Sequence, residues 1–370
     1  MSRSLRYLAA LASLGACGGA PARRAGAPPD LLLVVIEGEA PAVESPGAAE
    51  PFVEAEVIHT DPAATWRALL TGQWPGTAQV AVPNTLHGVL QLYGYTAYAG
   101  ESDLLRAVLS AEPALGAPPK ALPAGCPGAF LGGGIDALDR GPQADPLLVI
   151  VPLRVDPACG GEEGLRAALA AAARWAVEPE RALVVVGLQG GAAGAPLEPA
   201  PARPPLWLVG FGEEPAPRPG LCSALDVMPT LLTAGQAVVP SDAAGQPLQH
   251  LRRRGPAGAP AALIQQAPDG ARAALTRAHR LIVPAGAAPG EGGGPPAAAR
   301  LELRPPPPAA KAPPGGRAGA EAASADPERA KAALWSALLA WERSVGSAHP
   351  DERVGADALR KVLAEQGYFQ

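Results

Sequence analysis

Charge is scarce in this 370-residue chain: Asp, Glu, Lys and Arg make up 18% of it, and the net charge at pH 7 is -5. No basic stripe interrupts it, which argues against nucleic acid as a partner. Histidine is scarcer still, confined to His59, His87, His250, His279 and His349. The four cysteines show no C-x-x-C spacing, which excludes a zinc ribbon or a thioredoxin-like redox motif. No internal repeat is visible. What abounds is Pro (45) and Gly (44), about a quarter of the chain and close to the range where disorder sets in. Against that, 48% of the residues are hydrophobic. A sizeable core is therefore affordable, and the length suits one large α/β domain or two ordinary ones.

The N-terminus carries the clearest local signal. Arg3 and Arg6 precede a short apolar core, Tyr7 to Leu14, followed by Leu14-Gly15-Ala16-Cys17. An apolar core this short suits a secretory signal rather than a membrane span. The L-G-A-C string resembles the bacterial lipobox, in which cleavage precedes a cysteine that becomes diacylated. The resemblance implies loss of residues 1–16, a lipid on Cys17 and a flexible tether over 17–29. Gly18 in place of Asp implies the outer membrane, with the protein facing the periplasm. An ordinary signal with a chance cysteine is the plainer alternative. With Cys17 lipidated, Cys126, Cys159 and Cys222 remain. An oxidising periplasm allows one disulfide and one odd thiol among them. Three buried free cysteines fit the sequence equally well, and the pairing stays open.

Downstream, Leu31 to Ile36 (LLLVVI) is a continuous apolar run, as in a strand buried on both faces of a parallel sheet. Leu147 to Val151, Leu183 to Val186 and Leu206 to Val209 repeat the pattern. Between them lie helical stretches: Thr65 to Leu70, stopped at Thr71-Gly72, and the Ala-rich Glu162 to Val177. This alternation predicts an α/β fold with a mostly parallel central sheet flanked by helices, over residues 30–284. Residues 285–325 turn Pro- and Gly-rich, a linker with an edge strand at Arg300 to Arg304. Residues 326–370 close the chain with helices. The first starts at Asp326-Pro327-Glu328, a capping acid followed by Pro in the first turn. The last covers Ala356 to Glu365.

Several short strings, in order, resemble the sulfatase branch of the alkaline phosphatase superfamily. The first strand ends in Glu37-Gly38, where that family has paired acids. Leu69-Leu70-Thr71-Gly72-Gln73-Trp74-Pro75 is similar to its L-x-T-G-x-x-P, and Leu90 to Thr96 to its G-Y-x-T. Leu225 to Leu232 (LDVMPTLL), then Gly245 to Leu248, match a later pair of strings. Arg280-Leu281-Ile282 and Leu363 to Tyr368 resemble the closing ones.

The resemblance implies a formylglycine nucleophile, a hard divalent cation held by carboxylates, and Lys or His groups for the anion. Nearly every one of those positions departs from the pattern. Counting back from Thr71-Gly72, the nucleophile slot falls on Pro62, or on Thr60 if two residues are inserted. Thr60 cannot become formylglycine and would act as a direct nucleophile only beside metal ions. The acidic pair is reduced to Glu37, with Gly38 in the second place. The S-D-H-G segment aligns with Gly187-Leu188-Gln189-Gly190, so Leu188 and Gln189 stand where ligands belong. Leu153 to Ala158 has lost both histidines of its counterpart, and Glu101 replaces a lysine.

Glu37 reads first as a solvated carboxylate at a strand end and second as a remnant ligand. His59 reads as a loop residue beside the nucleophile segment. Asp226 reads as a brace for the Pro229 turn. The expectation is therefore a lipid-anchored, catalytically inactive sulfatase-like protein with a binding or structural role at the cell envelope. Its partners would be the membrane, through Cys17, and an envelope glycan or protein. No cofactor is expected. The alternative is a divergent sulfatase or phosphoesterase that needs calcium or magnesium. A third reading is an unrelated lipoprotein whose biased composition mimics the strings.

Overall fold

The computed structural model describes residues 28–39, 50–51, 55–56, 61–74, 84–111, 117–141, 143–189, 205–211, 222–241, 243–248, 262–267, 269–276, 278–304 and 326–346. The signal peptide, Cys17, most of the tether, His59, Thr60, His250, His349 and the helix expected over 356–365 lie outside these residues.

The centre is a seven-stranded sheet. Its strands in chain order are β1 (Asp30–Glu39), β2 (Glu50–Pro51), β4 (Thr96–Ala99), β5 (Lys120–Ala121), β6 (Leu147–Leu153), β7 (Arg181–Gln189) and β8 (Leu206–Val209). Across the sheet the order is β2-β8-β7-β1-β6-β4-β5. β5, β4, β6, β1 and β7 run parallel, while β8 is antiparallel to β7, and β2 to β8. The sheet is thus mostly parallel, as the strand–helix alternation predicts. The fourth apolar run, at 206–209, is the one that reverses.

β1 explains its own sequence. Every residue from Leu31 to Ile36 is fully buried, and successive side chains enter opposite layers. Leu31, Leu33 and Val35 pack with Trp66, Leu69 and Leu70 of α1 (Pro62–Thr71) and with α2 (Leu86–Leu92). Leu32, Val34 and Ile36 pack on the other side. There they meet Leu131 of α4 (Pro127–Leu131) and Leu165, Leu169 and Trp175 of α5 (Gly161–Ala176). A strand sandwiched this way has no polar face to show, so no alternation appears in its sequence. α3 (Asp103–Ala111) follows β4, and α6 (Val227–Ala234) lies against α1.

Two further sheets complete the fold. β3 (Ala55–Glu56) pairs with β9 (Cys222–Ser223). The other is antiparallel and four-stranded: β10 (Leu263–Gln266), β11 (Arg272–Leu275), β12 (His279–Val283) and β13 (Arg300–Leu303). The expected edge strand is β13, and its pairing with β12 carries this sheet across position 284. One face of the sheet, through Leu263, Ala273, Leu275 and Ile282, joins the main core. The other is covered by α7 (Pro327–Gly346) through Leu334, Trp335 and Leu338. Asp326 accepts the Glu328 amide at 3.1 Å, as the capping pattern predicts. Trp341 meets Trp74 edge-on, 5.7 Å between ring centroids, which ties α7 to the segment after α1. No helix of the described residues is long and apolar enough to cross a membrane.

The open cysteine question resolves into one bridge among the described residues, Cys126–Cys159, with Cys222 buried and outside it.

Candidate functional site

In parallel α/β sheets, ligand sites collect at the carboxyl ends of the strands. Here Glu37 stands at that end of β1, and its surroundings correct the solvated reading. It is half-buried, and its Oε1 accepts the indole N–H of Trp66 at 2.8 Å and the hydroxyl of Ser102. Ser102 in turn accepts the Leu105 amide at 3.3 Å, fastening the start of α3. One carboxylate oxygen therefore cross-links β1, α1 and α3. Sequence alone had no means of finding this: Trp66 and Ser102 lie 29 and 65 residues away, and neither belongs to a motif.

The next position, Gly38, has φ +87 and open space where a Cβ would be. A left-handed backbone favours Gly over the aspartate that the resemblance calls for. Of the Thr60-Asp61-Pro62 string, Asp61 and Pro62 are described, and they start a helix. Asp61 caps α1, its Oδ1 accepting the Ala63 amide at 3.1 Å, and Pro62 occupies the first turn. The slot counted onto Pro62 thus holds a helix-starting ring with no nucleophilic atom.

Leu188 is fully buried in the apolar layer that contains Leu33, Trp66 and Met228. Gln189 ends β7 in register with Glu39. Asp156 caps a single turn over Pro157–Cys159, with its Oδ1 on the Ala158 amide at 2.9 Å. Glu101 and Arg154 are exposed. Gly100 packs tightly, since a Cβ there would sit 3.0 Å from Pro152 Cδ.

The two described histidines are core residues. His87 is fully buried in α2, and burial pushes its pKa down to about 4, so the ring is neutral at physiological pH. His279 is buried on β12.

These residues do not fit a hard divalent cation. Such an ion needs six or more oxygens, several of them charged. Glu37 offers one carboxylate, already engaged, and Gly38 and Leu188 offer no side-chain oxygen. Among the described residues no three His, Cys, Asp or Glu side chains converge on a metal-sized site.

Beside Glu37 lies a cleft of about 560 Å³, bounded by Ser102, Arg106, Arg154, Asp156 and the Cys126–Cys159 bridge. Acids and guanidinium groups alternate around it, with Arg106 3.0 Å from Asp103 and Arg154 3.7 Å from Asp156.

Three of the strings that carry the resemblance, at 69–72, 225–232 and 245–248, meet elsewhere, at the end of α1. Gly72, at φ +65, closes the helix with its amide on Ala68 O at 2.8 Å. A Cβ there would lie 3.2 Å from Ala243 and 3.3 Å from Met228 Sδ. Asp226 is buried, and its two oxygens accept the amides of Ser223 and Gln246, both at 2.8 Å. Burial raises its pKa to about 6 despite those two donors, which pull it down. Thr230 Oγ1 donates to Asp226 O at 2.6 Å and accepts the Leu248 amide at 2.9 Å. Gly245 has no alternative, because a Cβ there would lie 2.0 Å from Leu225 O. The Asp226 carboxylate thus ties the turn before α6 to the segment at 245–248, and Asp226 reaches the Pro229 turn only through its backbone oxygen.

Comparison with known folds decides the class. A protein of the alkaline phosphatase superfamily from Vibrio parahaemolyticus superposes with a TM-score of 0.53 at 13% identity, over 86% of this chain and 88% of that one. The chain has the sulfatase-like fold of the alkaline phosphatase superfamily. A protein solved with its substrate D-glucosamine-2-N,6-O-disulfate shares this sulfatase-like fold at a TM-score of 0.57 and 10% identity, covering 88% of this chain and 99% of that one. The phosphonate monoester hydrolase of Silicibacter pomeroyi does so at 0.51 and 12%, over 85% and 95%. No protein-family model and no curated protein matches the sequence. The likeness is one of fold, and a fold does not carry chemistry with it.

Proposed function

We propose that this chain is a catalytically silent, sulfatase-fold lipoprotein, held to the cell envelope through Cys17 and serving there by binding or as a structural component. The observation that carries the first half is Leu188. It occupies a position where the resemblance calls for a metal-binding carboxylate, and its side chain is sealed in the core. The engagement of Glu37 by Trp66 and Ser102 supports the same reading. Ester hydrolysis in this fold would need the cation to polarise the ester and activate the nucleophile. Among the described residues, the positions where ligands belong offer too few oxygens to hold it. The anchor rests on the L-G-A-C string at Leu14 to Cys17.

The test is metal content by mass spectrometry on the full-length protein in detergent, after calcium, magnesium and zinc are offered. Turnover of nitrophenyl sulfate and nitrophenyl phosphate is measured on the same samples. The expected result is no stoichiometric metal and no turnover above the buffer rate. One tightly bound ion per chain, with turnover abolished in Thr60→Ala, would sink the proposal and establish a divergent hydrolase. The anchor is read separately: labelled palmitate should enter the wild-type chain and not Cys17→Ala.

A further inference from the structure

We propose that the Cys126–Cys159 disulfide is a redox latch on the cleft beside Glu37, which keeps its wall closed only while the bridge is oxidised. The bridge joins two short elements that both line the cleft. Cys126 is the N-cap residue of α4, a helix of five residues with no side-chain cap of its own. Cys159 ends the single turn that leads into α5. Their Cα atoms lie 5.5 Å apart, across 33 residues of chain. Residues 123–125 on one arm and 157, 158 and 160 on the other are exposed, so little core holds either arm in place. Beyond Cys126, Gly128 packs on Ala168 of α5 and Leu131 is buried. Leu122 is likewise held, by its amide on Ala99 O at 3.0 Å, so release is confined to the cleft-facing ends, about residues 123–127 and 156–161.

Both cysteines are half-buried and line the cleft, so a small dithiol can approach the bridge. Its thiolate attacks one cysteine sulfur, and the other leaves as a thiolate that takes a proton from water. The reagent's second thiol then resolves the mixed disulfide. Two electrons pass to the protein, leaving two cysteine thiols and a cyclic oxidised reagent. Cys222 is fully buried and takes no part. The latch is a property of the cleft wall and stands whether or not the chain hydrolyses an ester.

The test is amide hydrogen exchange on the native full-length protein, before and after dithiothreitol, with thiols mapped by alkylation and peptide mass spectrometry. Reduction should label Cys126 and Cys159 but not Cys222. Exchange of the hydrogen-bonded amides in 158–161 should rise by roughly tenfold or more while β1 and β6 stay protected. Reoxidation should restore the first pattern. The double variant Cys126→Ser/Cys159→Ser should match the reduced protein without any reagent. If that variant fails to fold, the reduction and reoxidation cycle on the native chain decides alone. Unchanged exchange after full reduction overturns the proposal. So does loss of protection across β1 and β6, because the bridge would then hold the whole fold rather than the cleft wall.

Discussion

Asp226 should make this protein less stable as the pH rises from about 4 to about 7, which is opposite to the usual behaviour of a carboxylate. Its folded pKa is raised from 3.8 to about 6, chiefly because burial penalises the charge. Below about pH 4 the group is protonated in both folded and unfolded chains, and its full contribution is present. As the pH climbs, the unfolded chain releases the proton first and the folded chain holds it, so stability is lost until the folded group has titrated. A separation of about two pK units corresponds to about 3 kcal/mol, an order-of-magnitude figure. The replacement Asp226→Asn has nearly the same shape, still accepts one of the two amides, and cannot ionise. Urea unfolding of both proteins at pH 4, 5, 6 and 7, followed by tryptophan fluorescence, cancels the titration of every other group. The wild type should lose about 2–3 kcal/mol relative to the variant between the ends of that range. Curves that run parallel to within about 0.5 kcal/mol would refute the reasoning. A wild type that gains on the variant would mean that the Ser223 and Gln246 amides outweigh burial.

Glu37→Ala should lower the urea midpoint by the equivalent of about 1–3 kcal/mol, since Trp66 and Ser102 lose their shared acceptor. Glu37→Gln, which keeps an acceptor oxygen, should recover most of that. A neutral Glu37→Ala would mean that the carboxylate is solvated after all. Gly245→Ala should cost about 3 kcal/mol or more, because the added methyl meets a backbone carbonyl that cannot swing aside. Soluble yield and the urea midpoint report it, and a variant as stable as wild type would disprove the close approach.

The large elements were legible because each obeys a local rule. β1, β6 and β7 show as apolar runs since both their faces are buried, and α1 shows because Gly72 stops it. β4 (TAYA), β10 (LIQQ) and β11 (RAAL) were not legible, being four residues long and rich in Ala or Gln. Their strand character comes from pairing with neighbours rather than from propensity. The departures from the family pattern at Gly38, Leu188 and Gln189 could be read from residue types alone. What replaced it could not, because the Glu37–Trp66–Ser102 contact and the Cys126–Cys159 bridge join distant segments. The strings that reveal the fold are the ones that pack on one another, Gly72 on Met228 and Gly245 on Leu225. They answer to shape rather than to substrate, so they can persist where other positions of the pattern change.

Leu188 also bears on how such a chain can change. An aspartate placed there would enter the interior as an unpaired charge, which is costly unless the group neutralises or finds a partner. The cation that would partner it needs the Gly38 position altered as well, where the backbone is left-handed. A single substitution toward such a ligand set therefore passes through a less stable protein. Packing acts here as a ratchet: once an apolar side chain has joined the core, putting a charge back at its position is costly.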